Sequence, residues 1–250
     1  MRSLLLTALF SGALGAAQAA PPGYRTPRFY YTPRHQPYHR PPVRLTFGGN
    51  LAYYNGDLTS RLQNNTLRLG LGIGLAQSVS PRLVYNIDLS YFKLQARDQV
   101  ESRNYRFTST NTLLTTSLRY NLNADKSMFV GPSYKATPVT AFLQAGVGAL
   151  LFDPLATQLT SEGVRALPPE RRGGYPVLAA VLPVGAGVTL RASRAVRFTL
   201  EGLYYFTSTD LLDDVSQRGN ASMKDDFATV SLKMEIGFYR KHGKPLVHFD

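Results

Sequence analysis

The chain has 250 residues, no cysteine, and 28 lysines and arginines against 16 aspartates and glutamates, a formal charge of +12. Lack of cysteine excludes a disulfide frame, a thiolate nucleophile or metal site, and an acylated lipobox. Much of the basic excess sits near the two ends, behind an export signal, which excludes nucleic acid as the expected partner and leaves envelope proteins or anionic lipid.

The first residues follow signal-peptide grammar: Arg2, an apolar stretch over 4–17, then Ala17-Gln18-Ala19 as the cleavage site. The stretch is too short to span a bilayer as a helix, so residues 1–19 are set outside the fold. Residues 20–42 form a Pro/Arg/Tyr-rich arm carrying Arg25, Arg28, Arg34 and Arg40. Its prolines fix φ and remove donors, which predicts an extended, disordered periplasmic arm for docking rather than a packed element.

Residues 43–239 then show eight segments of period-2 alternation. The first sets Val43, Leu45, Phe47, Leu51 and Tyr53 against Arg44, Thr46, Gly48, Asn50 and Ala52. The second, over 67–76, places a large aliphatic at every odd position and glycine, alanine or Arg68 at every even one. The third sets Leu83, Tyr85, Ile87, Leu89 and Tyr91 against Asn86, Asp88 and Ser90, and the fourth sets Leu114, Leu118, Tyr120 and Leu122 against Thr115, Ser117, Arg119 and Asn121. The fifth opposes Val139, Leu143, Val147 and Leu151 to Thr140, Gln144, Gly146 and Gly148, and the sixth opposes Leu178, Leu182, Val184, Val188 and Leu190 to Gly185, Gly187, Thr189 and Arg191. The seventh turns Val196, Phe198, Leu200, Tyr204 and Phe206 away from Arg197, Thr199 and Glu201, and the last turns Val230, Leu232, Met234, Ile236 and Phe238 away from Thr229, Ser231, Lys233, Glu235 and Gly237. The runs are about 10 to 13 residues long, suited to tilted membrane strands. Beyond the leader no uninterrupted apolar run is long enough for a transmembrane helix.

Connections at 78–82 and 191–195 are short, whereas those at 55–66, 96–108, 153–176 and 207–227 are long. That rhythm is that of outer-membrane barrels, with tight periplasmic turns and longer outside loops. The connection 123–138 departs from it, being long on the periplasmic side. With an even strand number, the arm and a basic tail over 240–250 share that side.

The polar faces decide between lipid and water outside. A solvated face of eight strands should be rich in lysine and glutamate, yet here it is mostly Gly, Thr, Ser, Asn and Gln with a few charges of both signs. Small residues suit a cramped interior, where Arg44, Arg68, Arg119, Arg191, Arg197 and Lys233 can pair with Asp88, Glu201 and Glu235, since an unpaired buried charge costs several kcal/mol. The expected fold is therefore an all-β, eight-stranded antiparallel up-and-down transmembrane barrel in the outer membrane of a Gram-negative bacterium, its apolar faces against lipid. Tyr53, Tyr91, Tyr120, Tyr204, Phe206 and Phe238 are placed for interfacial girdles.

Chemistry is sparse. His35, His39, His242 and His248 all lie outside the strands, so no histidine-based hydrolase is expected at the barrel mouth. The repeated glycines never complete G-x-G-x-x-G. Asp210, Asp213 and Asp214, with Asp225 and Asp226, match no calcium-loop spacing and read as a solvated turn, and Glu162, Glu170, Arg171 and Arg172 read as surface charge. No catalytic, cofactor-binding or metal residue is expected.

At its loops the chain resembles a family of eight-stranded outer-membrane barrels of Bacteroidetes that includes the type IX secretion subunit PorG. The matching stretches are Ala52-Tyr53-Tyr54-Asn55-Gly56-Asp57-Leu58, Phe152-Asp153-Pro154, Ser161-Glu162-Gly163 and Leu182-Pro183-Val184-Gly185-Ala186-Gly187-Val188, together with Glu201. The most specific is Thr209-Asp210-Leu211-Leu212-Asp213-Asp214-Val215-Ser216, where Leu211 stands for the family's tyrosine. Phe238-Tyr239 is similar to a terminal aromatic insertion signal, followed here by further residues. The resemblance implies a non-enzymatic structural barrel linking the outer membrane to periplasmic secretion components. Two other readings stay open: a small passive pore, and a surface binding or adhesion barrel acting through its long loops.

Overall fold

Alternation of apolar and small polar residues can bury its polar half only if the sheet closes, because an open sheet would leave two edges of unpaired backbone. The computed structural model describes residues 29–56, 58–59, 61–98, 104–131, 136–160, 163–169, 174–209, 211–214 and 225–237. The expected signal peptide, Arg25, Arg28, Glu162, Glu170, Arg171, Arg172, Asp210, Val215, Ser216, Phe238-Tyr239, His242, His248 and the 240–250 tail lie outside the described residues.

In chain order the strands are β1 (Tyr30–Tyr31), β2 (Pro37–Tyr38), β3 (Arg44–Asn55), β4 (Leu69–Ser78), β5 (Leu83–Arg97), β6 (Tyr105–Asn121), β7 (Val139–Thr160), β8 (Gly163–Ala166), β9 (Val177–Arg191), β10 (Val196–Thr207) and β11 (Asp226–Gly237). Eight of them, β3 to β7 and β9 to β11, pair antiparallel with their neighbours, and β11 closes on β3 from Asp226↔Asn55 to Gly237↔Arg44. The barrel is the closed one expected. Its outer surface carries Leu71 at 67 % exposure and Leu178 at 67 %, whereas inward Thr199 and Glu201 are 0 % and 2 % exposed.

Four strands outrun the expected lengths: β5 and β9 have 15 residues each, β6 has 17 and β7 has 22. Pairing continues through Arg97↔Arg106 and Tyr105↔Gln158, so about half of each expected loop, 96–108 and 153–176, is sheet, with β8 folded back on β7. The reason is chemical. Above the bilayer the outward residues become Lys93, Gln95, Arg97, Arg106, Thr108 and Thr110, so the apolar half of the alternation ends while the hydrogen-bond ladder does not.

Inside, the lumen is layered. Its extracellular half is an apolar core of Tyr54, Phe92, Leu94, Phe107, Leu150, Phe152, Leu203, Tyr205 and Phe227, sealed from above by Leu58 and Leu212. Tyr205 stacks on Phe227 at 4.5 Å, and Tyr54 meets Phe107 edge-on at 4.7 Å. The periplasmic half is charged. Gly48 marks a close approach of two wall strands: a Cβ there would collide with the Leu232 carbonyl.

Residues 29–42 differ from the extended tether expected. The β1–β2 hairpin turns through His35 at φ 56° and docks beneath the barrel, where His39 N–H donates to Met128 O at 3.0 Å and Val130 N–H to Pro37 O at 3.2 Å. Tyr38 is 6 % exposed. Arg40 lies over the Tyr30 ring at 4.1 Å and donates to Val79 O at 2.9 Å. Aromatic residues between the prolines supply the burial that a polyproline segment lacks, and the connection 123–131 is the surface they bury against.

Candidate functional site

Inward side chains from five strands meet in the lower lumen. Glu235 on β11 accepts from Arg44 Nε at 3.0 Å, a guanidinium nitrogen of Arg119 at 2.9 Å and the Thr199 hydroxyl at 2.9 Å. Arg119 on β6 also reaches Glu201 at 3.3 Å and lies over the Phe142 ring at 4.2 Å. Lys233 Nζ bridges Glu201 at 2.7 Å and Asp88 at 3.0 Å. Three cations thus face three carboxylates in one chain of contacts, all mostly buried. Such a group is costly to break because each member would be left charged without water.

The other expected members fall elsewhere. Arg191 and Arg197 sit at the periplasmic mouth and share one carboxylate, Asp125, at 2.8 and 2.9 Å. Arg68 is not in the lumen: it precedes β4, is exposed, and donates to the Gln95 side chain at 3.1 Å. Strand alternation would have turned it inward, but the inward space at that height is filled by aromatic core.

Asp125 was not singled out by sequence reasoning. It is the single acid in the 123–138 connection, where it also accepts from Ser127 N–H at 3.1 Å and caps the short turn Lys126–Met128. A signal was available: the residues proposed for the lumen held six cations against three acids. Burial pushes the Asp125 carboxyl up, but Arg197, the Ser127 hydrogen bond and Arg191 together outweigh it and hold it below its ordinary 3.8.

The upper end is built around the aspartates of the last loop. The Tyr54 hydroxyl lies 2.7 Å from Asp213 and 2.6 Å from Asp225, and Leu212 N–H donates to Asp225 at 3.0 Å. Tyr175 donates to Asp214 at 2.6 Å, and Asp214 holds a left-handed φ of 58°. Asp226 accepts from Tyr204 at 3.1 Å and Thr207 N–H at 3.0 Å, while the Thr207 hydroxyl bonds the Asp225 carbonyl. Thr209 accepts from Leu211 N–H at 3.2 Å. Asp213, Asp214 and Asp225 are no more than 1 % exposed, so the solvated turn expected here is instead a lock that ties the loop to the barrel. No three of the described His, Asp or Glu residues are grouped as metal ligands.

Between the charged and aromatic layers the free space is about 10 Å³, lined by Asn50, Asp88, Glu201, Tyr205 and Lys233. That is room for about one water. Small residues at Gly72 and Gly146 therefore do not open a bore. A Cβ at Gly146 would meet the Thr116 carbonyl.

A closed eight-stranded barrel with an aliphatic outer belt, a polar and ion-paired interior, and the start of β3 and the end of β11 on its short-turn side is an outer-membrane β-barrel. No protein-family model matches the chain, and no curated protein sequence matches it. Among solved structures it is similar to Neisserial surface protein A, with 14 % identity, a TM-score of 0.43, and coverage of 78 % of this chain and 97 % of that one. It is similar to Ail of Yersinia pestis, solved with the heparin analogue sucrose octasulfate, at 11 % identity and TM-score 0.43 over 78 % of this chain and 97 % of that one. The N-terminal barrel of Pseudomonas aeruginosa OprF gives 9 % identity and TM-score 0.37 over 79 % and 100 %. Likenesses at this level carry nothing of those proteins' functions to this chain.

Proposed function

We propose that this chain is a non-enzymatic, structural outer-membrane barrel that offers its periplasmic face to envelope proteins, in its most specific form as a PorG-like subunit linking the outer membrane to periplasmic type IX secretion components. One observation carries the reading: the arm and the long connection fold together beneath the mouth into a presented surface. It holds a cleft of about 530 Å³ lined by Tyr31, Arg34, Gln36, Arg82 and Phe129. Tyr31 is 65 % exposed and Phe29 50 %, an amount of free aromatic surface that suits a protein contact. The filled lumen weighs against the pore reading. The loop motif that carries the family resemblance serves here to lock the loop to the wall, which supports a scaffold more than a catalyst.

Photo-crosslinkers at Tyr31 and Arg34 in living cells test the reading. Adducts with periplasmic secretion-ring components are expected, together with loss of their co-purification when residues 21–42 are deleted. Unchanged recovery of those components from the deletion sinks it.

A further inference from the structure

The opposite face of the barrel carries an independent feature. On the outside of β5 the lipid-facing run ends at Tyr91, 52 % exposed, and the next outward residues are Lys93, Gln95 and Arg97. Lys93 lies two residues above Tyr91, about 5 Å along the membrane normal for a strand tilted by about 40°, and Arg97 about 15 Å above it. Arg106 on β6 is the direct cross-strand partner of Arg97, and Arg68 joins the same surface through Gln95.

Two arginines directly opposite each other on one sheet face repel and destabilise the pair. Among the described residues no carboxylate forms an ion pair with Lys93, Arg97, Arg106 or Arg68. The acid in the row of Lys93 is Asp153, paired with Thr110 on the far side of β6, about 10 Å away across two strand spacings. Three cations thus climb from the bilayer interface along sheet that continues well beyond what crossing the membrane requires, with Arg68, just before β4, beside them.

We infer that this extracellular extension of β5 and β6 binds the phosphorylated headgroup of an outer-leaflet glycolipid, with Lys93 at the level of the lipid phosphate and the Arg97–Arg106 pair gripping phosphate higher in the headgroup. Guanidinium forks suit phosphate oxygens, and a bound polyanion turns the repulsive arginine pair into a favourable one. The height of the row selects a lipid over a soluble anion, because Lys93 is within reach of the bilayer surface.

The test uses the full chain in phosphatidylethanolamine nanodiscs doped with bisphosphorylated lipid A, with bound lipid counted by native mass spectrometry. The K93Q/R97Q/R106Q variant, checked for folding by heat-modifiable migration, is expected to retain lipid A more than about tenfold less well, the loss of several charge-assisted contacts. Equal retention overturns the proposal. So does equal retention of dephosphorylated lipid A, or equally effective displacement by phosphatidylglycerol or inorganic pyrophosphate, which reveals a general anion surface. Should the triple variant not fold, R97Q alone decides by sign: it raises the unfolding midpoint without lipid A and lowers it relative to wild type with lipid A. A midpoint change of the same sign in both overturns the proposal.

Discussion

Replacing Glu235 by glutamine keeps the side chain's shape and removes the charge that couples Arg44 to Arg119. The carboxylate takes three hydrogen bonds, two of them from guanidinium groups at 3.0 and 2.9 Å, in a site 1 % exposed. A glutamine oxygen can still accept from one arginine, but its NH2 then points at another donor. One charge-assisted bond is lost and a second weakened, at about 1.5 to 3 kcal/mol each. Arg119 retains Glu201, whereas Arg44 is left with the Ser78 hydroxyl at 3.1 Å and no carboxylate. The expected destabilisation is about 3 to 5 kcal/mol, as for other buried pairs broken from one side. Reversible urea unfolding from lipid vesicles, followed by far-UV circular dichroism, measures it as a lower midpoint at unchanged slope. The R44Q/E235Q double variant should cost less than the sum of its parts, since it leaves fewer charges unpaired. An E235Q unfolding free energy within about 1 kcal/mol of wild type, or strict additivity in the cycle, would refute the network as a coupled unit.

Asp125→Asn should lower the unfolding midpoint at neutral pH by leaving Arg191 and Arg197 to repel each other. Because the folded-state carboxyl is held below 3.8, its contribution is present above that value and lost as pH falls through the folded pKa. The gap between wild type and variant should therefore close below pH 3.8; a gap constant down to acid pH contradicts the assignment. Two glycines separate wall from lipid. Gly48→Val should abolish heat-modifiable folding, because its side chain meets the Leu232 carbonyl, whereas Gly202→Ala should fold normally, with nothing within 4 Å of the added Cβ. Equal behaviour of the two would mean that the close approach of β3 and β11 is not limiting.

Sequence alone determined the barrel, because strand alternation is a local property: Leu69, Leu71, Ile73 and Leu75 against Gly70, Gly72 and Gly74 fix two faces whatever the rest of the chain does. Which face met lipid was also legible, from the small residues and balanced charges on the other. The members of the lumen network could be proposed on the same ground, but their partners could not, since alternation gives a direction and not a height. Arg68 shows the limit: it alternates like a lumen residue, yet at its height the interior is taken by Phe92, Leu94 and Phe107, and it lies outside on Gln95. Asp125, Tyr54 and the loop aspartates needed the tertiary structure, because each meets its partners across connections whose path the sequence does not encode in any period. The length of β5, β6 and β7 was hidden for the opposite reason. Above the membrane their outward residues are polar, so the hydrogen-bond ladder continues where the apolar signal has stopped. The arm's prolines predicted a chain without internal hydrogen bonds; only the surface offered by residues 123–131 decided that it would fold beneath the barrel.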